Sequence, residues 1–277
     1  MTEIQDDEEP ILPKKGVSLH ISEETQAELI AKVMTILSVS QDQASKIVDK
    51  AKELYSDRMK KRFSELKVRE RLKRTNPFLV KIRGVKTVKE WADYQVKSAL
   101  FASEEEAVGH LLEAIAKICH PGASVPHLPD DFDYEIVERN AVTAYQVKMS
   151  WDCMPMSTRK NLSNTISILK QHYQQEGKLF VGVFAPCYGK AKTTNPKGQQ
   201  YTSMRSREFW SKVGSGDQDY DAKVGEVVGL LCAEFRSDVQ ESLVPELIQR
   251  LAEIANEIIG EKDGSLNYLK LFRSVNI

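Results

Sequence analysis

The sequence lacks the features that mark membrane, secreted and zinc-binding proteins. No apolar run approaches the roughly 20 residues needed to cross a bilayer. The N-terminus is acidic and polar, which argues against a secretory signal. The four cysteines lie at least 34 residues apart without a Cys-x-x-Cys pair, which argues against a zinc knuckle and a disulfide framework. We therefore expect an intracellular protein of the reducing cytoplasm with no membrane partner.

The charges are segregated along the chain although the formal net charge is only −1. Residues 52–74 contain ten Lys or Arg against four acids, and residues 177–207 contain six Lys or Arg and no acid. Such segregation favours a polyanionic partner. Charged helices that only keep a protein in solution have a similar composition, so that alternative stays open. In the first segment the expected partner contacts are Arg62, Lys67 and Arg71.

Hydrophobic periodicity predicts a helical N-terminal half. One helix is expected to begin after Ser22, whose hydroxyl can cap it, and a second to run from about Gln41 to about Arg74. The second would be a rod of roughly 50 Å that ends before Pro77. Two more helices are predicted over 87–101 and 103–119, the latter with Ser103 as its N-cap.

The C-terminal half mixes strands and helices. Alternating polarity over 131–149 predicts a β-hairpin, and the apolar run 179–184 predicts a strand that is covered on both faces. Helices are predicted over 157–175, 219–235 and 237–259. The fold class expected from this order is α/β.

The predicted hairpin brings chemically useful side chains together. If the chain turns about Asn140 and Ala141, Asp133 faces Lys148 and Glu135 faces Gln146 on one face of the sheet. A turn of odd length would move the lysine to the opposite face. Carboxylate and amide oxygens are suitable ligands for Mg²⁺, and a neighbouring lysine can orient a water molecule and offset negative charge. A plain salt bridge across a hairpin is the alternative interpretation.

An ordered set of short motifs in this chain resembles one group of nucleases. Asp133 followed on the next strand by Gln146-Val147-Lys148 resembles the split motif of the PD-(D/E)XK superfamily, an acid paired with an acid-x-Lys triplet. More specifically, the chain resembles type II restriction endonucleases of the group that cuts RGGNCCY. The resemblance covers roughly residues 70–215 and rests on these segments in this order: Asn76-Pro77-Phe78, Gly109 through Glu113, Ile136-Val137-Glu138-Arg139, Lys148, Val181-Gly182-Val183-Phe184 and Glu208-Phe209-Trp210.

The resemblance implies a PD-(D/E)XK core, in which helices flank a mixed central sheet, together with an N-terminal helical arm. It also implies a protein of the prokaryotic cytoplasm. It divides the chain into a leader (1–20), the arm (21–75) and a catalytic domain (76–277). It implies a Mg²⁺-dependent, homodimeric endonuclease for double-stranded DNA that cuts an interrupted GC-rich palindrome. Asp133, Gln146 and Glu135 would bind the metal and Lys148 would position the attacking water. Because Gln146 replaces the usual acid, either Glu135 or Glu113 on the preceding helix could substitute for it, or the site could bind metal with a single strong carboxylate. A solvated helix-face role for Glu113 also stays open.

The resemblance also implies that DNA is the partner of the basic residues. Arg159 and Lys160 lie near a predicted helix N-terminus, where phosphates bind readily. Arginine, lysine and amide side chains of the loop 187–207 are suited to reading base edges, and the basic ones are Lys190, Lys192, Lys197, Arg205 and Arg207. Trp151 and Trp210 are expected in the core or as clamps rather than as stacking platforms. A non-catalytic DNA-binding regulator with a structural hairpin is the alternative function, and cleavage of RNA or branched junctions is a third.

Overall fold

The computed structural model describes residues 21–59, 66–128 and 131–275. The chain forms two compact units. Among described residues, one unit, here called the sheet unit, comprises 21–51, 108–128 and 131–231, and the other, the helical unit, comprises 52–59, 66–107 and 232–275. Compactness does not identify a catalytic domain, so the division into leader, arm and catalytic domain stays a prediction. The predicted leader lies outside the described residues.

A five-stranded mixed sheet forms the centre of the sheet unit, with its strands in the sequential order β1 to β5. The first two junctions are antiparallel, whereas β3 runs parallel to β4 and β4 parallel to β5. The carboxyl ends of β3 and β4 therefore lie at the same edge of the sheet. The strands are β1 (Ala123–Ser124), β2 (Tyr134–Val137), β3 (Ala141–Ser150), β4 (Leu179–Tyr188) and β5 (Thr202–Ser203).

The predicted hairpin is present, but its register differs from the prediction. Tyr134 pairs with Tyr145 and Glu135 with Ala144, so each partner on β3 comes two residues earlier than predicted. The turn consists of Arg139 and Asn140 instead of Asn140 and Ala141, since the Glu138 amide donates to the Ala141 carbonyl at 2.8 Å. The turn keeps an even length, so Glu135 still shares its face with the even-numbered residues of β3.

Packing between rings accounts for this register. The rings of Tyr134 and Tyr145 stack with centroids 4.9 Å apart and planes inclined by 13°. The Tyr134 hydroxyl also lies 2.8 Å from Nδ1 of His120, and both groups are buried. Burial of two aromatic rings as a cross-strand pair contributes about 1 kcal/mol beyond their area. A shift by two residues would separate them.

One face of the sheet is covered by helix α6 (Met156–Gln175), which begins one residue before the predicted start and ends where predicted. Leu162, Ile166 and Leu169 of this helix pack on Ala144 and Phe180 of the sheet. Gly177 follows with a φ of +71°, a left-handed conformation that glycine adopts without strain. Strand β4 continues four residues past the predicted apolar run, because residues 185–187 are buried as well.

The remaining helices of the sheet unit flank these strands. Ser22 caps α1 as predicted, since its hydroxyl oxygen accepts from the Thr25 amide at 3.0 Å. The predicted helix over 219–235 is present, although it runs seven residues further and so passes into the helical unit. These elements are α1 (Glu23–Leu37), α2 (Gln41–Ala51), α7 (Ser206–Val213) and α8 (Tyr220–Ser242).

The predicted 50 Å basic rod is wrong as a continuous helix. After α2 the chain forms a π-helical segment, Lys52–Asp57, and Leu66 and Lys67 are not helical. Lys67 is extended, with φ −115° and ψ 134°, ahead of the short helix α3 (Val68–Lys73). Arg62 lies outside the described residues. The helical periodicity predicted one continuous helix, but Leu66, Val68 and Leu72 are buried in a hydrophobic core. A straight exposed helix would leave these three side chains in water.

The two helices predicted over 87–101 and 103–119 are one helix, α5 (Val88–Cys119). Ser103 is a buried residue inside it and not a cap. The acids that resembled a first turn make tertiary contacts instead: Tyr55 donates to Glu104 and Arg58 to Glu106, each at 2.6 Å. Local cap signals are weak compared with such contacts.

Three more helices belong to the helical unit and complete the chain. Asn76 does not simply end a helix; its side chain caps a new one by accepting from the Phe78 and Leu79 amides. The predicted helix over 237–259 starts later, at Val244. The three are α4 (Pro77–Ile82), α9 (Val244–Ile259) and α10 (Tyr268–Ser274).

The architecture is α/β, a mixed sheet flanked by helices, as predicted from the sequence. Within the described ranges no helix combines the length and the apolar character that crossing a membrane requires.

Candidate active site

Asp133 is held against strand β3 by both its backbone and its side chain. Its amide donates to the Tyr145 carbonyl at 2.9 Å, and its carboxylate Oδ2 accepts from the Val147 amide at 2.6 Å. These two hydrogen bonds lie on either side of Gln146. The Asp133 carboxylate is thereby fixed beside the Gln146-Val147-Lys148 triplet.

Lys148 reaches an acid of helix α5. Its Nζ donates to Glu113 Oε1 at 3.1 Å, and the lysine side chain is one-third exposed. The other carboxylate oxygen of Glu113 lies 3.1 Å from Nδ1 of His110, one turn earlier on the same helix. Glu113 therefore links the carboxyl end of β3 to α5. His110 was missed in the sequence, although its i, i+3 spacing from Glu113 was a usable signal.

The electrostatics confirm that Asp133, Glu113 and Lys148 share one environment. Burial raises the pKa of Asp133 above its ordinary value, more than the nearby Lys148 ammonium lowers it. For Lys148, burial lowers the pKa, but the carboxylates of Asp133 and Glu113 outweigh it and the pKa is raised. The lysine is therefore held as a protonated hydrogen-bond donor between two acids.

Gln146 contributes an unusual group to this site. Its side-chain oxygen Oε1 is buried and has no hydrogen-bond partner. A buried amide oxygen without a partner costs about 1–3 kcal/mol, and such groups in a folded protein indicate a ligand or water. Its position between the two hydrogen bonds of Asp133 makes it a candidate ligand oxygen.

Glu135 is not part of this group. Its carboxylate Oε2 accepts from the backbone amide of His127 at 3.0 Å, and the residue is buried. It also lies near Tyr173 of α6, whose pKa is raised first by burial and then by Glu135. The structure thus brings Asp133, Gln146, Lys148 and Glu113 together and leaves Glu135 in a structural role near α6.

The donor set limits the kind of cation that could bind. Among the described residues no group of three or more His, Cys, Asp and Glu is arranged to hold a metal ion. What Asp133, Glu113 and Gln146 offer is two carboxylates and one amide oxygen. Such a small, all-oxygen set fits Mg²⁺, which retains several waters, better than zinc, which prefers a closed set of nitrogen and sulfur ligands.

The expected DNA-contacting residues fall into three groups. Lys67 and Arg71 belong to the helical unit. Arg159 and Arg207 are already engaged: Arg159 donates to the Met154 carbonyl at 2.9 Å, and Arg207 pairs with Asp219 at 2.6 Å. The remaining ones are exposed or half-exposed, and their side chains make no hydrogen bond or ion pair within the described ranges: Lys160, Lys190, Lys192, Lys197 and Arg205.

The two tryptophans of the sheet unit differ. Trp210 is buried and its Nε1 donates to the Cys187 carbonyl at 2.9 Å, as expected of a core residue. Trp151 is 49% exposed, so of its two expected roles a core residue is wrong, and a clamp stays a prediction. It lies just beyond the carboxyl end of β3, where the sheet no longer covers it.

Comparison with known proteins gives this site a context. A family model described as type II restriction endonuclease EcoO109I matches residues 42–235, which include Asp133, Glu113, Gln146 and Lys148. No curated protein matches the chain. The match covers more than half of the chain, and the resemblance to type II restriction enzymes drawn from the motifs is confirmed at that level. The chain belongs to the type II restriction endonuclease EcoO109I family.

Proposed function

We propose that this restriction endonuclease hydrolyses DNA with Mg²⁺ at the site formed by Asp133, Glu113, Gln146 and Lys148, in the manner of the PD-(D/E)XK superfamily. The observation that carries the proposal is the hydrogen bond of Lys148 to Glu113 at 3.1 Å beside the half-buried Asp133. Glu113 supplies the second acid that the Gln146-Val147-Lys148 triplet lacks.

Each residue has a distinct part in this proposal. Asp133, Glu113 and the free Oε1 of Gln146 would hold the cation. When bound, Mg²⁺ would polarise the phosphodiester and lower the pKa of a nearby water. Lys148 keeps its ammonium protonated between two acids, so it can orient the attacking water by donation. The same charge offsets the negative charge that grows on the phosphate oxygens.

The assembly and the target follow from the chemistry of double-strand cleavage. Cutting both strands of a palindrome calls for two sites related by a twofold axis, so we propose a homodimer. The motif resemblance favours an interrupted GC-rich palindrome such as RGGNCCY as the target. All four cysteines are free thiols, which is consistent with a reducing prokaryotic cytoplasm.

Plasmid digestion tests this proposal. Purified protein with plasmid DNA and MgCl₂ should give discrete fragments, and their mapped ends define the target. Asp133→Asn and Lys148→Ala should each lower the rate by a factor of about 10² or more, with unchanged circular dichroism. Retarded but intact DNA would instead support a non-catalytic regulator, and equal cleavage by wild type and both variants would overturn the assigned site.

A further inference from the structure

A cavity of about 620 Å³ lies at the carboxyl end of β4 within the sheet unit. Cys187 at the end of β4 and Leu112, the neighbour of Glu113, both line it. In the register of the parallel strands Lys148 pairs with Pro186, the residue before Cys187, so the cavity begins at the same edge of the sheet as Lys148. The cavity is at the carboxyl ends of the parallel strands, where open α/β sheets commonly bind their ligands.

The cavity carries positive charge that the protein does not neutralise. Lys190 and Arg205 line it, and within the described residues neither side chain makes a hydrogen bond or ion pair that the structure shows. Arg207 also lines the cavity, but its charge is balanced by Asp219 at 2.6 Å. Among the described lining residues the one acid, Asp221, accepts from the Ala222 amide at 2.9 Å and keeps its negative charge. Lys190 and Arg205 therefore leave a net positive charge of one, and both side chains can donate hydrogen bonds to an anion.

An exposed aromatic ring lies at the rim of the cavity. Trp151 packs directly on Gly189, a lining residue: a Cβ atom at Gly189 would lie 2.7 Å from Trp151 Cδ1. Gly189 has a φ of +85°, a conformation that glycine adopts without strain. Because glycine has no side chain, the indole of Trp151 can pack against its backbone. The strand pairing of Ser150 with Tyr188 places the two chain segments side by side. The indole is thus held in place while one side remains open to solvent.

We propose that the cavity and Trp151 form a subsite for the stretch of substrate DNA that flanks the scissile phosphodiester. Lys190 and Arg205 bind a backbone phosphate, and Trp151 packs against the sugar or base of the adjoining nucleotide. The inference rests on the proposed function, because it takes DNA as the ligand. Charged groups that meet phosphates position the duplex, and aromatic rings bind nucleotides without regard to sequence.

Tryptophan fluorescence tests this subsite directly. The chain has three tryptophans, and Trp91 and Trp210 are 0% and 2% exposed, so Trp151 dominates quenching by acrylamide. Short duplexes from sheared plasmid, added in EDTA to prevent cleavage, should lower the wild-type quenching constant at least twofold. Trp151→Phe should show weak quenching that DNA does not change.

Binding of the same duplexes, measured by anisotropy, tests the cations. Lys190→Ala combined with Arg205→Ala should weaken binding about tenfold and reduce the salt slope by about one, since both cations bind the same phosphate. Lys32→Ala on α1, an exposed lysine that does not line the cavity, should change neither quantity. Inorganic phosphate and dAMP are added separately to distinguish a free anion site from a DNA subsite.

The outcomes separate the inference from the proposed function. If the enzyme cuts plasmid with Mg²⁺ but saturating duplex leaves Trp151 equally quenchable, the inference is wrong and the function stands. Protection of Trp151 by dAMP but not by duplex also overturns the inference. If the folded protein neither cuts nor binds duplex, both are wrong. Protection by duplex together with the tenfold loss in the double variant supports the subsite.

Discussion

Lys148 Nζ donates to Glu113 Oε1 at 3.1 Å, so the lysine of strand β3 has its direct partner on helix α5. This contact distinguishes between the two acids that could replace the missing carboxylate at Gln146. Glu135 is engaged with the His127 amide instead. The two glutamates are therefore a matched pair for mutagenesis.

Glu113→Gln should lower the rate of DNA cleavage by a factor of about 10 to 10³, because it removes one carboxylate from the proposed cation site. Glu135→Gln should leave the rate within a few-fold. It should instead lower the free energy of unfolding by about 1 kcal/mol through its weakened hydrogen bond to His127. Cleavage assays and urea unfolding of both variants measure this contrast. A large loss of cleavage in Glu135→Gln with little loss in Glu113→Gln would instead assign Glu135 to the active site.

Gln146→Glu should make the protein dependent on a divalent cation for stability. The new carboxylate would be buried beside Asp133 and Glu113, so without metal we expect a loss of about 1–3 kcal/mol. Mg²⁺ should restore this loss, and the increase in Tm on adding MgCl₂ should be larger than in wild type. Thermal unfolding in EDTA and in MgCl₂ measures both. An identical Mg²⁺ response in the two proteins would argue against Gln146 as a ligand.

His120 should make stability fall in mild acid. Burial, with a smaller contribution from Lys212, lowers its pKa to about 4 in the folded protein, against an ordinary value of 6.5. The unfolded chain therefore binds a proton first as the pH falls, and stability that is present above pH 6.5 is lost between there and pH 4. The loss from this group is on the order of 3 kcal/mol. His120→Gln should flatten this part of the urea-unfolding profile, and an unchanged profile would contradict the assignment.

Gly182 should tolerate no side chain. A Cβ at this position on β4 would lie 2.6 Å from Ile166 Cγ1 of α6. Gly182→Ala should therefore lower the free energy of unfolding by about 1–3 kcal/mol. The double variant Gly182→Ala with Ile166→Val should recover part of the loss. Gly225→Ala is the control, because a Cβ at Gly225 meets open space. Gly198→Ala is unsuitable, because the φ of +76° at Gly198 would add backbone strain.

The sequence predicted the three longer strands (β2, β3 and β4), the even turn and three of the four residues that meet in the candidate site, and it kept Glu113 as an alternative; the two-residue strands β1 and β5 were missed. Alternation and burial are local properties, so Asp133, Gln146 and Lys148 could be assigned to one hairpin. Both two-residue turns satisfy the same local rules, and the choice between them depends on the stacking of Tyr134 on Tyr145, which only packing reveals.

Other errors share this origin. Ser103 and the acids after it have the composition of a helix start, but Tyr55 and Arg58 use those acids within a continuous helix. Glu135 has the right parity for the site, yet the His127 amide holds its carboxylate elsewhere. Trp151 is apolar in character but follows the last residue of β3 and packs on Gly189 at the surface. Each outcome depends on a partner distant in sequence.

The nearly parallel rings of Tyr134 and Tyr145 give the hairpin a spectroscopic signature. Two phenols stacked at 4.9 Å couple their electronic transitions and contribute to near-ultraviolet circular dichroism. Because this pair exists only in the observed register, that signal reports strand alignment directly, without nucleic acid or any catalytic readout. If a substitution abolishes DNA cleavage but leaves the circular dichroism of this tyrosine pair unchanged, the register of the hairpin is intact.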